Sequence, residues 1–267
     1  MTQLTNDSIR KAVREQYGKV AESGNSGCGC SATSCCDESG TDAKTASMEL
    51  GYSNTDVNHV PEGANMGLGC GNPRAIASLK AGETVLDLGS GGGFDCFLAV
   101  NEVGKSGTVI GVDMTPEMVS KARANADKAG HNNVDFRLGE IENLPVADDV
   151  VDVIISNCVI NLSPEKAKVF QESYRVLKSG GRLAISDIVA TAELPEQQKN
   201  DLALFTGCMS GASSIDEIVS MLKNAGFENI KINPKDTSKE FIRNWAPGRR
   251  IEDYVVSATI EAIKPKA

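Results

Sequence analysis

Apolar residues recur along this chain with two alternating periods. Ile9, Val13, Tyr17 and Val20 share one face at helical spacing, which predicts a helix over residues 7–21 with Asn6 or Asp7 as its cap. Residues 23–45 are rich in Gly, Ser and Cys without any period, so a loop is predicted there, and a second loop-like stretch covers 51–73. From Glu83 onward short apolar runs alternate with amphipathic ones. Strands are predicted over 84–88, 108–112, 134–138, 151–156 and 182–188, and helices over 94–103, 116–129 and 164–177. Pro116 suits a first helical turn, where no N–H is needed. The near-continuous apolar run at 151–156 suits a strand buried on both faces. Ser179, Gly180 and Gly181 are expected to close the helix before them. This alternation predicts an α/β fold with a doubly wound, mostly parallel sheet. Beyond Asp187 it loosens into a helix over 195–205, a loop over 206–214, a clear helix over 215–225 and strand candidates at 227–232 and 254–263. These form a C-terminal α+β extension that either completes the main sheet or caps it. Three parts result: an N-terminal helix and Cys-rich arm (1–64), a core (65–190) and a C-terminal region (191–267).

Composition narrows the function. The net charge of −9 argues against a nucleic-acid partner, because phosphate binding needs a basic face. It argues more weakly against an anionic membrane surface. The longest apolar candidate, residues 150–160, is interrupted by Asp152, Ser156 and Asn157, too short to cross a bilayer. The N-terminus is polar and lacks the apolar core of a signal peptide. A cytoplasmic chain without membrane attachment is expected. In that reducing setting its 8 cysteines suggest metal binding, redox work or plain burial before disulfides.

The first core strand runs into Asp87-Leu88-Gly89-Ser90-Gly91-Gly92-Gly93. Glycines let the backbone turn tightly and a ligand come close. Asp113 ends the second strand, where a carboxylate can accept hydrogen bonds from both ribose hydroxyls of an adenosine. Such a turn alone also serves nicotinamide enzymes, or no ligand at all. The wider set is more specific. Val85 to Gly93, then Gly111-Val112-Asp113-Met114-Thr115-Pro116-Glu117-Met118, Asn143-Leu144-Pro145, Asp152 to Asn157 and Arg175 to Gly181 resemble the successive motifs of class I S-adenosylmethionine-dependent methyltransferases. The resemblance covers residues 83–187. It implies S-adenosylmethionine as cofactor. Asp87, Gly89, Ser90, Gly91 and Gly93 would face its amino-acid part, and Asp113 would hold the ribose. Met114 and Met118 would flank the adenine, Glu140 and Ile141 would meet its edge, and Asn157 would lie near the methionine moiety. Simple helix packing explains the two methionines equally well, and Glu140 also suits a solvated loop.

Three cysteines stand at informative places. Cys158 follows the fourth core strand, Cys70 lies in Asn65-Met66-Gly67-Leu68-Gly69-Cys70-Gly71-Asn72-Pro73, and Cys208 in Thr206-Gly207-Cys208-Met209-Ser210-Gly211-Ala212. A buried cysteine acting as a small hydrophobe is the alternative for each, and best suits Cys96 inside its helix. Pro61 to Pro73, Ser156 to Leu162 and Gly207 to Ala212 together resemble the arsenite methyltransferase family, over residues 50–227. The resemblance implies that Cys70, Cys158 and Cys208 bind As(III) as thiolates, with arsenic as substrate and no resident metal. It also implies a redox relay through Cys36, with Cys35 as the alternative. The acceptor would be arsenite, its thiol adducts or methylarsenite. An external thiol of thioredoxin or glutathione type would be the reductant, and the chain would be a monomer. Residues 65–190 would then be the cofactor-binding core and 191–267 the acceptor side.

The chemistry agrees with the composition. Trivalent arsenic is soft and prefers sulfur. Three sulfurs leave its lone pair free as the nucleophile, so no general base is required, and only 2 histidines exist, His59 and His131, neither in a motif. Two other readings stay open: a methyltransferase for an organic acceptor of quinone or sterol type, and a thiol-rich metalloid-sequestering protein. The cluster Cys28, Cys30, Cys35 and Cys36 fits a zinc site poorly, because its spacing departs from the usual two-residue gap. An arsenic-capturing arm and an incidental tail are the other readings.

Overall fold

A computed structural model describes residues 5–23, 42–199 and 201–266. Cys28, Cys30, Cys35 and Cys36 lie outside them. The helices are α1 (Asn6–Ser23), α2 (Ala43–Glu49), α3 (Asn54–Asn58), α4 (Arg74–Ala77), α5 (Phe94–Val103), α6 (Pro116–Ala129), α7 (Lys166–Val176), α8 (Glu196–Lys199), α9 (Leu202–Thr206), α10 (Ile215–Ala225) and α11 (Lys239–Trp245). The strands are β1 (Thr84–Leu88), β2 (Thr108–Asp113), β3 (Val134–Leu138), β4 (Val151–Asn157), β5 (Leu177–Ala190), β6 (Glu228–Lys235) and β7 (Val255–Ile263).

The strands form one sheet in the order β3-β2-β1-β4-β5-β7-β6. β1 to β5 are parallel; β7 runs antiparallel to both β5 and β6. The C-terminal region therefore completes the main sheet. Val256, Ala258, Ile260 and Ala262 explain why, because each is at most 1% exposed and packs into the common core. Phe97, Val119 and Ala122, from α5 and α6, cover one face with Val85 and Val109; Phe170 and Leu222, from α7 and α10, cover the other with Leu86 and Ile154. Each such side chain contributes about 1.5–3 kcal/mol by leaving water.

Several expectations change. The helix expected to 177 and closed by glycines ends at Val176, and Leu177 is already extended. The glycine pair instead bends β5, whose pairing with β4 shifts register between Val151 and Val153. The loop expected over 23–45 gives way to α2 at its end, and that over 51–73 contains α3. Both helices are too short for a periodic signal. Ser53 and Asp56 form a capping box on α3, while Tyr52 and Val57 pack on Leu98. The helix expected over 195–205 is two, because the Asp201 side chain accepts the N–H groups of Ala203 and Leu204 and starts α9 afresh. Among the described residues no helix is long and apolar enough to cross a membrane.

Candidate active site

The carboxyl ends of β1, β2 and β4 open into a cleft of about 1250 Å³, counted to its open mouth. Gly89, after β1, has φ +69°, and a Cβ there would stand 2.5 Å from Val159. Only glycine satisfies both demands. The next turn is tied to β2: Gly91 N–H donates to Asp113 Oδ2 at 2.9 Å, and Thr115 N–H to Oδ1 at 2.8 Å. Burial still pushes the Asp113 carboxyl above its ordinary value. Asp87, Gly89, Ser90, Gly91, Asp113, Met114, Met118, Ile141, Asn157, Cys158 and Cys208 all line the cleft.

Gly93 and Glu140 stand apart from that wall. Gly93 caps α5 at φ +93°, where a Cβ would come 2.7 Å from the Phe97 ring. Glu140 pairs with Arg10 and Arg14, each at 3.5 Å, while its neighbour Glu142 reaches the cleft. Helix α1 thereby lies over the opening. Arg10 Nη2 donates to Glu142 at 3.0 Å and to Glu165 at 2.7 Å, and Tyr17 donates to the Thr206 carbonyl at 3.2 Å. Arg10, Val13, Tyr17 and, from α11, Trp245 are lining residues that periodicity presents as ordinary packing or surface positions.

Three thiols meet beside the cleft, those of Cys158 and Cys208 in its wall. Cys158 and Cys208 hold left-handed backbone, φ +59° and +64°. Such strain costs on the order of 1–3 kcal/mol per residue and concentrates at functional sites. The Cys158 thiol lies against those of Cys208 and Cys70. Cys208 Sγ also lies 2.7 Å from the Cys158 carbonyl. These thiol contacts, ahead of burial, push Cys158 well above the ordinary thiol pKa; burial is the leading cause for Cys70. Both thiols are therefore neutral at pH 7. All three sit in an apolar cluster with Val13, Leu162, Ile188 and Leu204. Cys96 is separate: its thiol donates to Asp87 Oδ2 at 3.3 Å.

Asn157, together with polar residues that carried no local signal, holds this arrangement. Asn157 Oδ1 accepts the Cys70 N–H at 3.0 Å, and its Nδ2 donates to the Gly71 carbonyl at 2.8 Å and the Tyr52 oxygen at 3.0 Å. Tyr52 in turn donates to Asp95 Oδ1 at 2.6 Å. Ser257 donates to the Cys70 carbonyl at 2.7 Å. Beneath Cys158, Asp187 accepts from Ile160 N–H and Asn161 Nδ2, each at 2.9 Å. Gly69, at φ +119°, lets the Cys70 loop reach Asn157, since a Cβ there would stand 2.7 Å from Nδ2. Gly69→Ala is expected to push Asn157 off the Cys70 N–H and lower stability by about 1–3 kcal/mol. Thermal melting checks the loss of stability, and turnover falling further than cofactor affinity checks the displacement of Asn157.

The seven-stranded sheet with β7 antiparallel, carrying the glycine turn and carboxylate at its carboxyl edge, has the class I methyltransferase fold. Residues 79–226 match the family model described as a methyltransferase domain. The arsenite methyltransferase of Halobacterium salinarum is 55% identical over 265 residues, 97% of this chain and 67% of that protein. The arsenite methyltransferase of Aquipseudomonas alcaligenes is 37% identical over 84% of this chain and 63% of its own length. A crystal structure of an arsenic(III) S-adenosylmethionine methyltransferase from Chlamydomonas reinhardtii superposes with TM-score 0.61 at 31% identity, over 84% of this chain and 74% of that one. The chain belongs to the arsenite methyltransferase family. It spans about two thirds of the length of these two curated relatives.

Proposed function

We propose that the chain methylates trivalent arsenic held on Cys70, Cys158 and Cys208. The observation that carries this reading is the convergence of three buried thiols beside Asn157, two of them in the cleft wall. The cleft fits S-adenosylmethionine: its size accepts a nucleoside with an amino-acid tail, and the Gly91 Cβ position opens onto Met66 and Met118 at 3.6 and 4.0 Å. Asp113 would take the ribose hydroxyls, and the turn from Gly89 to Gly91 the amino-acid end. That cofactor supplies an electrophilic methyl group on a sulfonium.

The raised thiol pKa values suit arsenite. As(OH)3 arrives neutral, each thiol proton leaves with one hydroxyl as water, and As(SR)3 is again neutral. No charge is buried in the apolar cluster, where it would be costly. Arsenic on three sulfurs keeps its lone pair, so no residue has to remove a proton. Orientation then supplies much of the rate, since holding reactants in line is worth ~7–11 kcal/mol. Transfer raises arsenic formally to the pentavalent state. Two thiols joining in one S–S bond would return the two electrons. An external thiol of thioredoxin or glutathione type would then reopen that bond. Cys36 would relay within this cycle. The chain would act as a monomer in the reducing cytoplasm, where Cys70, Cys96, Cys158 and Cys208 stay free.

The test is arsenic X-ray absorption on the arsenite-loaded protein, beside an assay with labelled cofactor, arsenite and a thiol. A shell of three sulfurs with no oxygen, and a methylated arsenical as product, are expected. Bound arsenic that keeps its oxygens sinks the reading. So does a protein that binds arsenic and forms no product, which the sequestering alternative requires.

A further inference from the structure

The thiols have a fourth neighbour. The sulfurs of Cys70 and Cys158 and a carboxylate oxygen of Asp187 lie within 4.8 Å of one another, and all three residues are buried. Arsenic bound by three sulfurs needs no such oxygen. A tetrahedral divalent cation does take one: at metal–sulfur ~2.3 Å and metal–oxygen ~2.0 Å, its donors stand roughly 3.5–3.8 Å apart. Small side-chain rotations close the difference.

We propose that Cys70, Cys158 and Asp187 form a site for a thiophilic divalent cation, zinc or cadmium. Cys208 supplies the fourth donor, and the cation competes with arsenite for the same sulfurs. The proposal rests on the geometry of the cluster and stands independently of methyl transfer. On binding, three thiol protons leave to solvent, so the cation meets three thiolates and one carboxylate. The two residual negative charges face the partly buried Lys166 ammonium, whose charge acts on both Asp187 and Cys208. The carboxylate is also already oriented. Ile160 N–H and Asn161 Nδ2 hold its two oxygens at 2.9 Å, and Ile188 N–H adds a third bond at 2.7 Å. Such outer partners fix a metal ligand in place. Arsenite differs because it brings its own hydroxyls to remove the thiol protons. Asp187 is therefore the residue that separates the two ligands.

The experiment uses the full chain with Cys28, Cys30, Cys35 and Cys36 changed to serine, reduced, and titrated with Co2+. Arsenite binding is measured first on the cobalt-free protein. Failure at that stage sinks the arsenic reading and leaves the cobalt result to stand alone. A sulfur-to-cobalt charge-transfer absorption saturating at one equivalent is expected, displaced by zinc and by arsenite, and absent in Cys158→Ser. Asp187→Asn should weaken cobalt binding by ~10-fold or more, and by a clearly larger factor than it weakens arsenite binding. An absent band, a band that survives Cys158→Ser, or a cobalt complex indifferent to bound arsenite overturns the proposal. If Asp187→Asn does not fold, X-ray absorption of the zinc-loaded protein decides. A mixed sulfur and oxygen shell upholds Asp187, and an all-sulfur shell removes it.

Discussion

Cys158→Ser should lower arsenite turnover by ~10²-fold or more while cofactor binding persists, since even a misplacement of about 1 Å costs that much. The substitution removes the one thiol that contacts both of the others. A hydroxyl is a hard donor and does not replace sulfur on a soft atom. Two sulfurs then hold arsenic in more than one orientation. Serine is no larger than cysteine and tolerates φ +59° equally, and the Cys158 N–H bond to the Ser186 carbonyl at 2.8 Å is a backbone contact that survives. The loss should therefore be chemical, not structural. Calorimetry with the demethylated cofactor, beside steady-state turnover, separates the two. Turnover equal to that of the unaltered protein would remove Cys158 from the arsenic site.

Asp113→Ala should weaken cofactor affinity by ~10²-fold, about 3 kcal/mol. Two effects combine. The ribose hydroxyls lose a charged acceptor, and the N–H groups of Gly91 and Thr115 lose the oxygens they now meet at 2.9 and 2.8 Å. The glycine turn then slackens where it should be rigid. At saturating cofactor, turnover should recover most of its value, because the Asp113 carboxylate bonds the glycine turn and Thr115, not the thiols. An unchanged dissociation constant by calorimetry would place the ribose elsewhere.

Much of the frame was legible residue by residue. β1 to β4, α5 and α6 fall close to where apolar periodicity puts them, because their burial pattern is local and regular. Pro116 and Gly130 mark the ends of α6, the latter at φ +68°. The misreadings have equally local causes. Gly180 and Gly181 carry a helix-ending signature, but the chain uses them inside a strand that the core pulls straight on from Val176. α2 and α3 are shorter than two helical turns, so they rest on partners such as Leu98 that no window of sequence contains. Gly93 and Glu140 share motifs with lining residues. One serves the Phe97 contact and the other the arginines of α1.

By itself the sequence determined the strand–helix alternation, the glycine turn with its carboxylate, and the presence of cysteines in three family-like motifs. These follow from periodicity, from φ values only glycine accepts, and from short-range chemistry. Only the tertiary structure decided that Cys70, Cys158 and Cys208 share one buried cluster, that α1 lines the cleft beside it, and that Tyr52, Asp95 and Asp187 hold its surroundings. Cys208 meets Cys158 across 50 residues, and Asn157 meets the Cys70 backbone across 87. Such distant contacts depend on β4 lying between β1 and β5 and on how loops pack above that edge. They arise from the whole core folding at once, and no neighbouring residues encode them.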